Sequence, residues 1–558
     1  MTRGRLILLV LVAAAAAGIA LALPPRTQAL NTDALVDAPV VRGAYHVHSN
    51  RSDGTGSVRQ IALAAGRAGL SFVIITDHGD GSREVDPPAY VDGVLVIDAV
   101  EISTTSGHVV ALGMREAPYP LFGEPHAVIE DIARLGGVSI VAHPGSARPA
   151  LRWSDWQSPF NGLEWLNGDS EWRDEGVASL VRMLFTYPFR RSETLAALLD
   201  RPDDVLRQWD ALLATRRVVA LAGGDAHGGL SHGADRRLSV RMPAYEHVFR
   251  TMSLAIPRLA LAGDAAIDAE LIITAILEGN VLSAIDAVAR PAAFGFVGAS
   301  GGVRAGVGGR LPVGAPVDFV VTTNAPDDAR IVLLKDGVAV TETAGATLTY
   351  AAPAGPGVYR VEVHLPRAPG APAVPWIVSN PIYVRPQEPP PAPRPVATAR
   401  VVQYRDGPAA WQVEQSARAQ GAFDVLPTLG GTELSLRYAL SGSLEEGPFV
   451  ALAMPAGPVA GYDRLTFTAR ASRPMRVSVE LRLPLSTLQG ERWHRSVYVD
   501  ETPRAITVFF DDMTPRGQTT AERPDLAVAQ AVLFVVDSMN TPPGSSGQLW
   551  IDDIAYEK

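Results

Sequence analysis

The stretch Phe72-Val73-Ile74-Ile75-Thr76-Asp77-His78 decides the fold. Its apolar part reads as a strand, and an acid and a histidine follow at the strand's carboxyl end. Working outward, the same arrangement recurs. Strands are expected at 94–100, 109–112, 138–142, 162–166 and 218–222, separated by helical patterns at 58–68, 127–135, 203–214 and 269–277. That alternation, from about residue 40 to 290, is an α/β pattern. Glu101 follows the 94–100 run, His108 opens the next one, and His143 closes 138–142. His46-Val47-His48 and Asp225-Ala226-His227 share an i, i+2 spacing, which in a strand puts both ligand groups on one face. In a parallel barrel the carboxyl ends of the strands share one rim, where residues far apart in sequence converge.

Composition narrows what such a rim can do. The chain has 558 residues, room for three or four domains at roughly 150 residues each. Its hydrophobic content of 47% supports packed cores. With 0 Cys there is no thiol nucleophile, disulfide, iron–sulfur cluster or thiolate metal site. Lysine occurs only as Lys335 and Lys558, which leaves no P-loop motif and argues against Schiff-base chemistry. A net charge of −10 argues against holding long nucleic acid by charge. Histidine and carboxylate remain, and nine of the 11 histidines lie between residues 46 and 247. Six of them, with three carboxylates, fall mostly at strand ends. Oxygen and nitrogen ligands without sulfur suit Zn, Mn or Fe at a hydrolytic site. Nine such groups exceed the need of one ion and imply a cluster of two or three divalent metal ions.

At these residues a resemblance becomes clear. Tyr45-His46-Val47-His48-Ser49-Asn50-Arg51-Ser52-Asp53-Gly54, then Ile75-Thr76-Asp77-His78, resembles the opening motifs of the polymerase-and-histidinol-phosphatase (PHP) metallohydrolases. Glu101 with Gly107-His108-Val109-Val110-Ala111-Leu112-Gly113, then Ala142-His143-Pro144 and Gly223-Gly224-Asp225-Ala226-His227, resemble the later motifs in order. The resemblance covers about residues 40–290 and implies a distorted (β/α)7 barrel with up to three metals at its rim. It implies that His46, His48, Glu101 and Asp225 hold one metal, and that Glu101, His108 and His143 hold a second, with Glu101 as the bridge. Asp53, His78 and His227 would hold a third; many relatives carry His at the Asp53 position. Glu101, Asp225 and His227 are the residues it places closest to the chemistry, in which bridging metals lower the pKa of a bound water. Pro375-Trp376-Ile377-Val378-Ser379-Asn380-Pro381-Ile382-Tyr383 is also similar to a segment of long exported members related to carbaryl hydrolase. The implied activity is phosphoester hydrolysis of small phosphate esters or nucleotides. Carboxylester or carbamate hydrolysis at the same metals is the alternative. An envelope glycan-binding protein with a vestigial barrel is the third reading.

Around the motifs, Asp77 is read as orienting a ligand imidazole, and Glu164 as supporting the ligands or facing the substrate. A salt-bridged rim carboxylate is the plainer reading of Glu164. Arg51 and Arg148 are candidates for phosphate contact or for solvated surface arginine. His232 is a candidate proton donor to the leaving group. Trp153, Trp156, Trp165 and Trp172 are read as core packing or as the wall of a pocket. His126 is expected to be exposed at a helix start. The glycine-rich stretch 298–309 is expected to be a turn rather than a nucleotide loop.

From about residue 300 the texture changes to period-2 strands. A hairpin is expected at Lys335-Asp336-Gly337, inside a small β-sandwich of residues 300–386. A proline-rich linker, 387–398, leads to an all-β sandwich or jelly-roll of residues 399–558. That last domain weakly resembles carbohydrate-binding modules, so glycan is its expected partner. At the other end, Arg3 and Arg5 precede an apolar run of residues 6–23. Residues 1–30 are read as a signal peptide or membrane anchor, with a weak cleavage site at Thr27-Gln28-Ala29. Either reading places the bulk of the chain outside the cytoplasm: periplasmic, extracellular or membrane-anchored.

Overall fold

Phe72–Ile75 forms the expected strand, and both of its faces are covered. Phe72 and Ile74 enter a core with Leu95, Ile97, Val110, Ile140 and Leu221. Val73 and Ile75 pack instead with Ile61 and Ala65 of helix Val58–Ala68. That helix starts where the Ser57 and Gln60 side chains cap each other's backbone, and it ends at the left-handed Gly69. The computed structural model describes residues 17–31, 40–232, 238–240, 242–386, 394–403, 411–428, 431–457, 459–484, 491–517 and 521–558, with 5, 11 and 519. Side chains from 230 to 241, most of the apolar run 6–23 and most of the proline-rich linker lie outside the described residues. Among the described residues no helix is long and apolar enough to cross a membrane. The chain divides into two compact units, residues 1–116 with 129–388, and residues 117–128 with 389–558.

The first unit is mixed α/β. Among the described residues its hydrogen bonding runs through separate sheets and does not close into the ring that the expected distorted (β/α)7 barrel implies. One sheet has the order Val219–Gly223, Gly162–Asn167, Val138–Ala142, Gly107–Leu112, Val100–Thr104, His78–Gly79. Another sets Leu282–Ala284, Ser253–Pro257, Val40–Ala44, Phe72–Ile75 and Val94–Asp98 side by side. At Ala99 the chain passes from the second sheet to the first. The expected single strand 94–100 is therefore two. Only two residues join Val100–Thr104 to Gly107–Leu112, too few for a crossover, so this pair is antiparallel. Gly107–Leu112 is also antiparallel to Val138–Ala142. The reversal brings the amino end of Gly107–Leu112 level with the carboxyl end of Val138–Ala142, where His108 lies opposite Ala142.

Beyond residue 290 the expected strands form two layers. Phe294–Ser300, Val303–Gly306, Val317–Thr323 and Thr347–Ala352 make a four-stranded sheet. Its Phe296, Phe319 and Val321 share a core with Ile331, Leu333, Tyr359 and Val361 of the facing strands. The facing layer is not a separate sheet, because Ile377–Ser379 pairs with Leu282–Ala284 and so continues the α/β sheet. The expected hairpin turn falls at Asp336-Gly337, with φ of 50° and 80°. The stretch 298–309 also contains a hairpin turn, at Gly301-Gly302. Helix Asp203–Leu213 is tied to strand Gly357–His364 by a buried charge pair. The Arg360 guanidinium donates to both Asp210 oxygens at 2.7 Å and to Glu362 Oε1 at 2.6 Å.

In the second unit two six-stranded antiparallel sheets enclose a core that includes Trp411, Leu434, Leu452, Phe467, Val479, Phe534 and Leu549. Residues 117–128 belong to this unit. Tyr119 stacks on Tyr498 with ring centroids 6.2 Å apart, and Glu124 lies 3.9 Å from His494. Gly123 is pressed so closely to the Met539 carbonyl that a Cβ there would sit 1.6 Å from the oxygen. His126 does open a helix, Pro125–Arg134, but it is half-buried rather than exposed.

Removing Asp210 would take away two of the three charge-assisted hydrogen bonds of the buried Arg360 and leave it Glu362 alone. Asp210→Ala is accordingly expected to lower the stability of the full chain by about 3 kcal/mol, read as a lower denaturant midpoint. An unchanged midpoint would contradict this account of Arg360.

Candidate metal centre

Two short motifs meet first. The His48 N–H donates to the Ala226 carbonyl at 3.0 Å, and the Ala226 N–H donates to the His46 carbonyl at 3.1 Å. Val47 and Ala226 form a parallel bridge, so His46-Val47-His48 and Asp225-Ala226-His227 lie in register side by side. Neither motif is in a regular strand as the spacing suggested, since Val40–Ala44 and Val219–Gly223 end before them. His46 (φ 62°) and Asp225 (φ 44°) are left-handed, and so is His143 (φ 33°) just after Val138–Ala142. Non-glycine residues adopt that backbone at a cost, and such strain collects at functional sites. Here it turns three candidate ligands toward one point.

The atoms that converge fit a cation. His46 Nε2 lies 3.1 Å from His48 Nε2, and 3.4 Å from both Glu101 Oε2 and Asp225 Oδ1. His48 Nε2 is 3.4 Å from Glu101 Oε2 and 3.1 Å from Asp225 Oδ1. Ligands about 2.0–2.1 Å from a tetrahedral ion stand about 3.3–3.4 Å from one another, which these separations approach. Glu101 Oε2 is buried and has no hydrogen-bond partner, an orphaned acceptor aimed into the same space. The other oxygen, Glu101 Oε1, is 2.8 Å from His108 Nδ1 and 2.9 Å from His143 Nε2. Asp53 Oδ2 stands 3.2 Å from His227 Nε2 and 3.6 Å from His78 Nε2. His78 Nδ1 is in turn 3.1 Å from Glu101 Oε2. All nine sequence-predicted ligands are therefore brought together, and Glu101 is the residue common to most of the contacts.

Electrostatics follow from that crowding. Burial alone would raise the Glu101 pKa, but His46, His108 and His143 outweigh it and hold the carboxyl well below its ordinary range. Asp225 is held low in the same way, with His46 and His48 overcoming burial. Burial lowers the pKa of His78 and Asp53 and Glu101 raise it, leaving it at about 10. For His227, Asp53 and Asp225 prevail over burial and lift it to about 9. In the metal-free chain the acids are thus charged and these two imidazoles hold protons that a cation would displace.

The surrounding residues sort themselves by contact. Glu164 Oε1 accepts from His46 Nδ1 at 2.5 Å, which turns Nε2 toward the cluster. Its other oxygen accepts from the His143 N–H and from Asn167 Nδ2, both at 2.7 Å. Glu164 therefore supports the ligands. Gly223 makes this fit possible, because a Cβ there would lie 2.0 Å from Glu164 Oε1. Asp77 has a different task from the one expected. It accepts from the Ser49 N–H at 2.7 Å and from the Ser49 and Ser52 hydroxyls at 2.6 Å, clamping the loop after His48 rather than gripping an imidazole. Arg51 is occupied by Asp98 and Asp86, each at 3.1 Å. Arg148 is exposed, has no ion-pair partner among the described residues, and lines a cavity of about 460 Å³ beside Asp53, Asp225 and His227. The His232 side chain lies outside the described residues. Of the tryptophans, Trp153 and Trp165 are core, Trp156 is half-buried beside Phe160, and Trp172 lines the Arg148 cavity. Leu198 and Met252 on that cavity wall, and Asn167, carried no signal in the sequence. Their role depends on helices and loops with no ligand-type pattern of their own.

No family model matches the chain, and no curated protein matches it. Among solved structures, it is similar to a family 11 carbohydrate-binding module from Clostridium thermocellum in complex with a β-1,3-1,4-mixed-linked tetrasaccharide. That match has 14% identity and a TM-score of 0.25, covering 28% of this chain and 94% of the module. A family 30 carbohydrate-binding module of a Clostridium thermocellum cellulosomal cellulase is similar at 10% identity and a TM-score of 0.23, covering 28% and 96%. A two-domain protein from Bacteroides vulgatus containing a predicted PHP-like metal-dependent phosphoesterase is similar at 13% identity and a TM-score of 0.30, covering 64% and 99%.

Two outcomes test the centre. Gly223→Ala should push Glu164 off His46, and Glu164→Gln should weaken the same support. Each is expected to lower metal affinity by about 10–100-fold, measured by titration of the metal-stripped protein. Because His78 and His227 sit at about 10 and about 9 without metal, binding should release protons near neutral pH and tighten as pH rises toward those values. Calorimetry in two buffers of different ionisation enthalpy reads that release directly. Equal heats would contradict it.

Proposed function

We propose that residues 40–290 form a PHP-type metal-dependent hydrolase, most specifically a phosphoesterase acting on small phosphate esters. The single observation that carries the reading is the buried Glu101 carboxylate. One of its oxygens lies within 3.4 Å of His46, His48 and His78, whose first two rings also meet Asp225, and the other lies within 2.9 Å of His108 and His143. These residues would hold divalent ions, and Asp53, His78 and His227 offer a further group of donors. Zn, Mn or Fe bound there would supply Lewis acidity and the ionisation of a water at neutral pH.

The chain's own residues then have separable tasks. Glu164 fixes the His46 ring, so its Nε2 needs no reorganisation on binding. Arg148, at the cavity beside Asp53 and His227, is placed to meet an anionic oxygen of the substrate. Trp172, Leu198 and Met252 give that cavity an apolar side suited to an organic leaving group. The same apolar side favours a second reading, hydrolysis of an aryl carboxylester or carbamate by the identical donor set.

For the C-terminal sandwich, glycan binding is proposed on one feature. Trp550 is half-exposed, with the Arg470 guanidinium 3.9 Å from its ring centroid. The sheet carrying Tyr498 and His494 is a poorer candidate, since residues 117–128 already lie on it.

The reading is tested with the metal-reconstituted full chain on aryl phosphate and aryl ester substrates. Phosphatase turnover is expected, with His46→Ala and Asp225→Ala each reducing it by at least about 10³-fold. Turnover of esters alone would replace the phosphoesterase assignment with the second reading. Activity that survives both substitutions would remove the metal-hydrolase proposal altogether.

A further inference from the structure

Helix Val177–Thr186 turns its apolar stripe outward. Met183 and Thr186 face the interior, yet Val177 is 79% exposed, Phe185 58% and, just past the helix, Phe189 64%. Val181 and Leu184 are exposed with them. Positions 177, 181, 184 and 185 share one helical face, the stripe that a surface helix normally buries in its own core. Single exposed apolar residues are ordinary; a contiguous stripe of large ones marks a contact surface.

The N-terminal segment indicates what that surface meets. The apolar run of residues 6–23 ends against this same helix. Arg182 Nε donates to the Ala22 carbonyl at 2.8 Å, and Arg190 donates to the Pro24 carbonyl. The Thr27 N–H and hydroxyl both donate to Glu193 Oε1, at 3.3 and 3.1 Å. Gln28–Ala29 then pairs in parallel with Ala289–Arg290. Leu21, at the exit of the run, is 88% exposed. At this junction a cavity of about 890 Å³ is lined by Arg26, Arg182, Arg190 and Arg367, against Glu193 and Asp328. An apolar stripe, an adjoining apolar run and a surplus of arginine form the pattern of an interfacial helix on an anionic bilayer.

We propose that helix Val177–Thr186 and Phe189 form a membrane-contacting face. The stripe lies in the interface, and the arginines sit at the level of anionic phospholipid headgroups. This partner is independent of the reaction the metal centre performs.

The absence of native cysteine makes the test direct. Full-length Phe185→Cys and Phe189→Cys, with Val338→Cys as an exposed control on a hairpin of the β layers (68% exposed), are labelled with an environment-sensitive fluorophore. Each is reconstituted into vesicles of phosphatidylcholine with phosphatidylglycerol. A blue shift and quenching by brominated acyl chains are expected at 185 and 189, several-fold stronger than at 338 and weaker in phosphatidylcholine alone. Equal quenching at all three positions overturns the proposal. So does a blue shift that appears without lipid and grows with protein concentration, which would assign the stripe to a second copy of the chain.

Discussion

One buried carboxylate organises the rim of the α/β unit. The two oxygens of Glu101 lie within 3.4 Å of nitrogen atoms from His46, His48, His78, His108 and His143. A carboxylate this deep would cost several kcal/mol if it stood alone, so the imidazoles are a condition of its burial. They come from four separate places in the sequence, His46 and His48 sharing one motif, and the fold must deliver each to the same few ångströms. The antiparallel reversal of Gly107–Leu112, the bridge between Val47 and Ala226, and the left-handed backbone at His46 and His143 all serve that delivery.

Much of this was legible because the relevant residues end buried strands. The Val138–Ala142 strand and the Val58–Ala68 helix fall on their expected bounds. An apolar run with a ligand at its end is a local signal, and the motifs are local strings. What the sequence could not show is which strands pair and in which direction. Periodicity reports whether a face is buried but not its neighbour, so a ring of parallel strands and two mixed sheets read alike. The hairpin at Thr105-Ser106 was the available clue, since two residues cannot carry a parallel crossover.

The same limit explains the misplaced details around the site. Asp77 adjoins His78 in sequence, and adjacency suggested that it would orient that imidazole. In the fold its oxygens face Ser49 and Ser52, because side chains of neighbouring residues at a strand end point to opposite sides. Glu164, distant from every other motif, takes the orienting role through His46. Helices Gly168–Arg173 and Val177–Thr186 supply the cavity's Trp172 and the outward apolar stripe. Neither helix announced itself, because its apolar positions do not describe a face turned to the core.

The centre is therefore assembled by constraints that would be unfavourable one at a time. Left-handed residues at His46, His143 and Asp225 cost of order 1–3 kcal/mol each, and the three acids Glu101, Asp225 and Asp53 crowd like charge that the protons on His78 and His227 offset. What holds them is the rigid layer beneath. Ile140 and Leu221 are fully packed, and Glu164 is locked between His46, the His143 backbone and Asn167. Such a frame cannot relax by shifting one ligand, since every imidazole contacts Glu101, Asp225 or Asp53, and each of those acids is shared with another imidazole. A cation that replaced the protons would offset the crowded carboxylates without moving the frame. Folding and the binding of such a cation would for that reason be linked through the same few atoms.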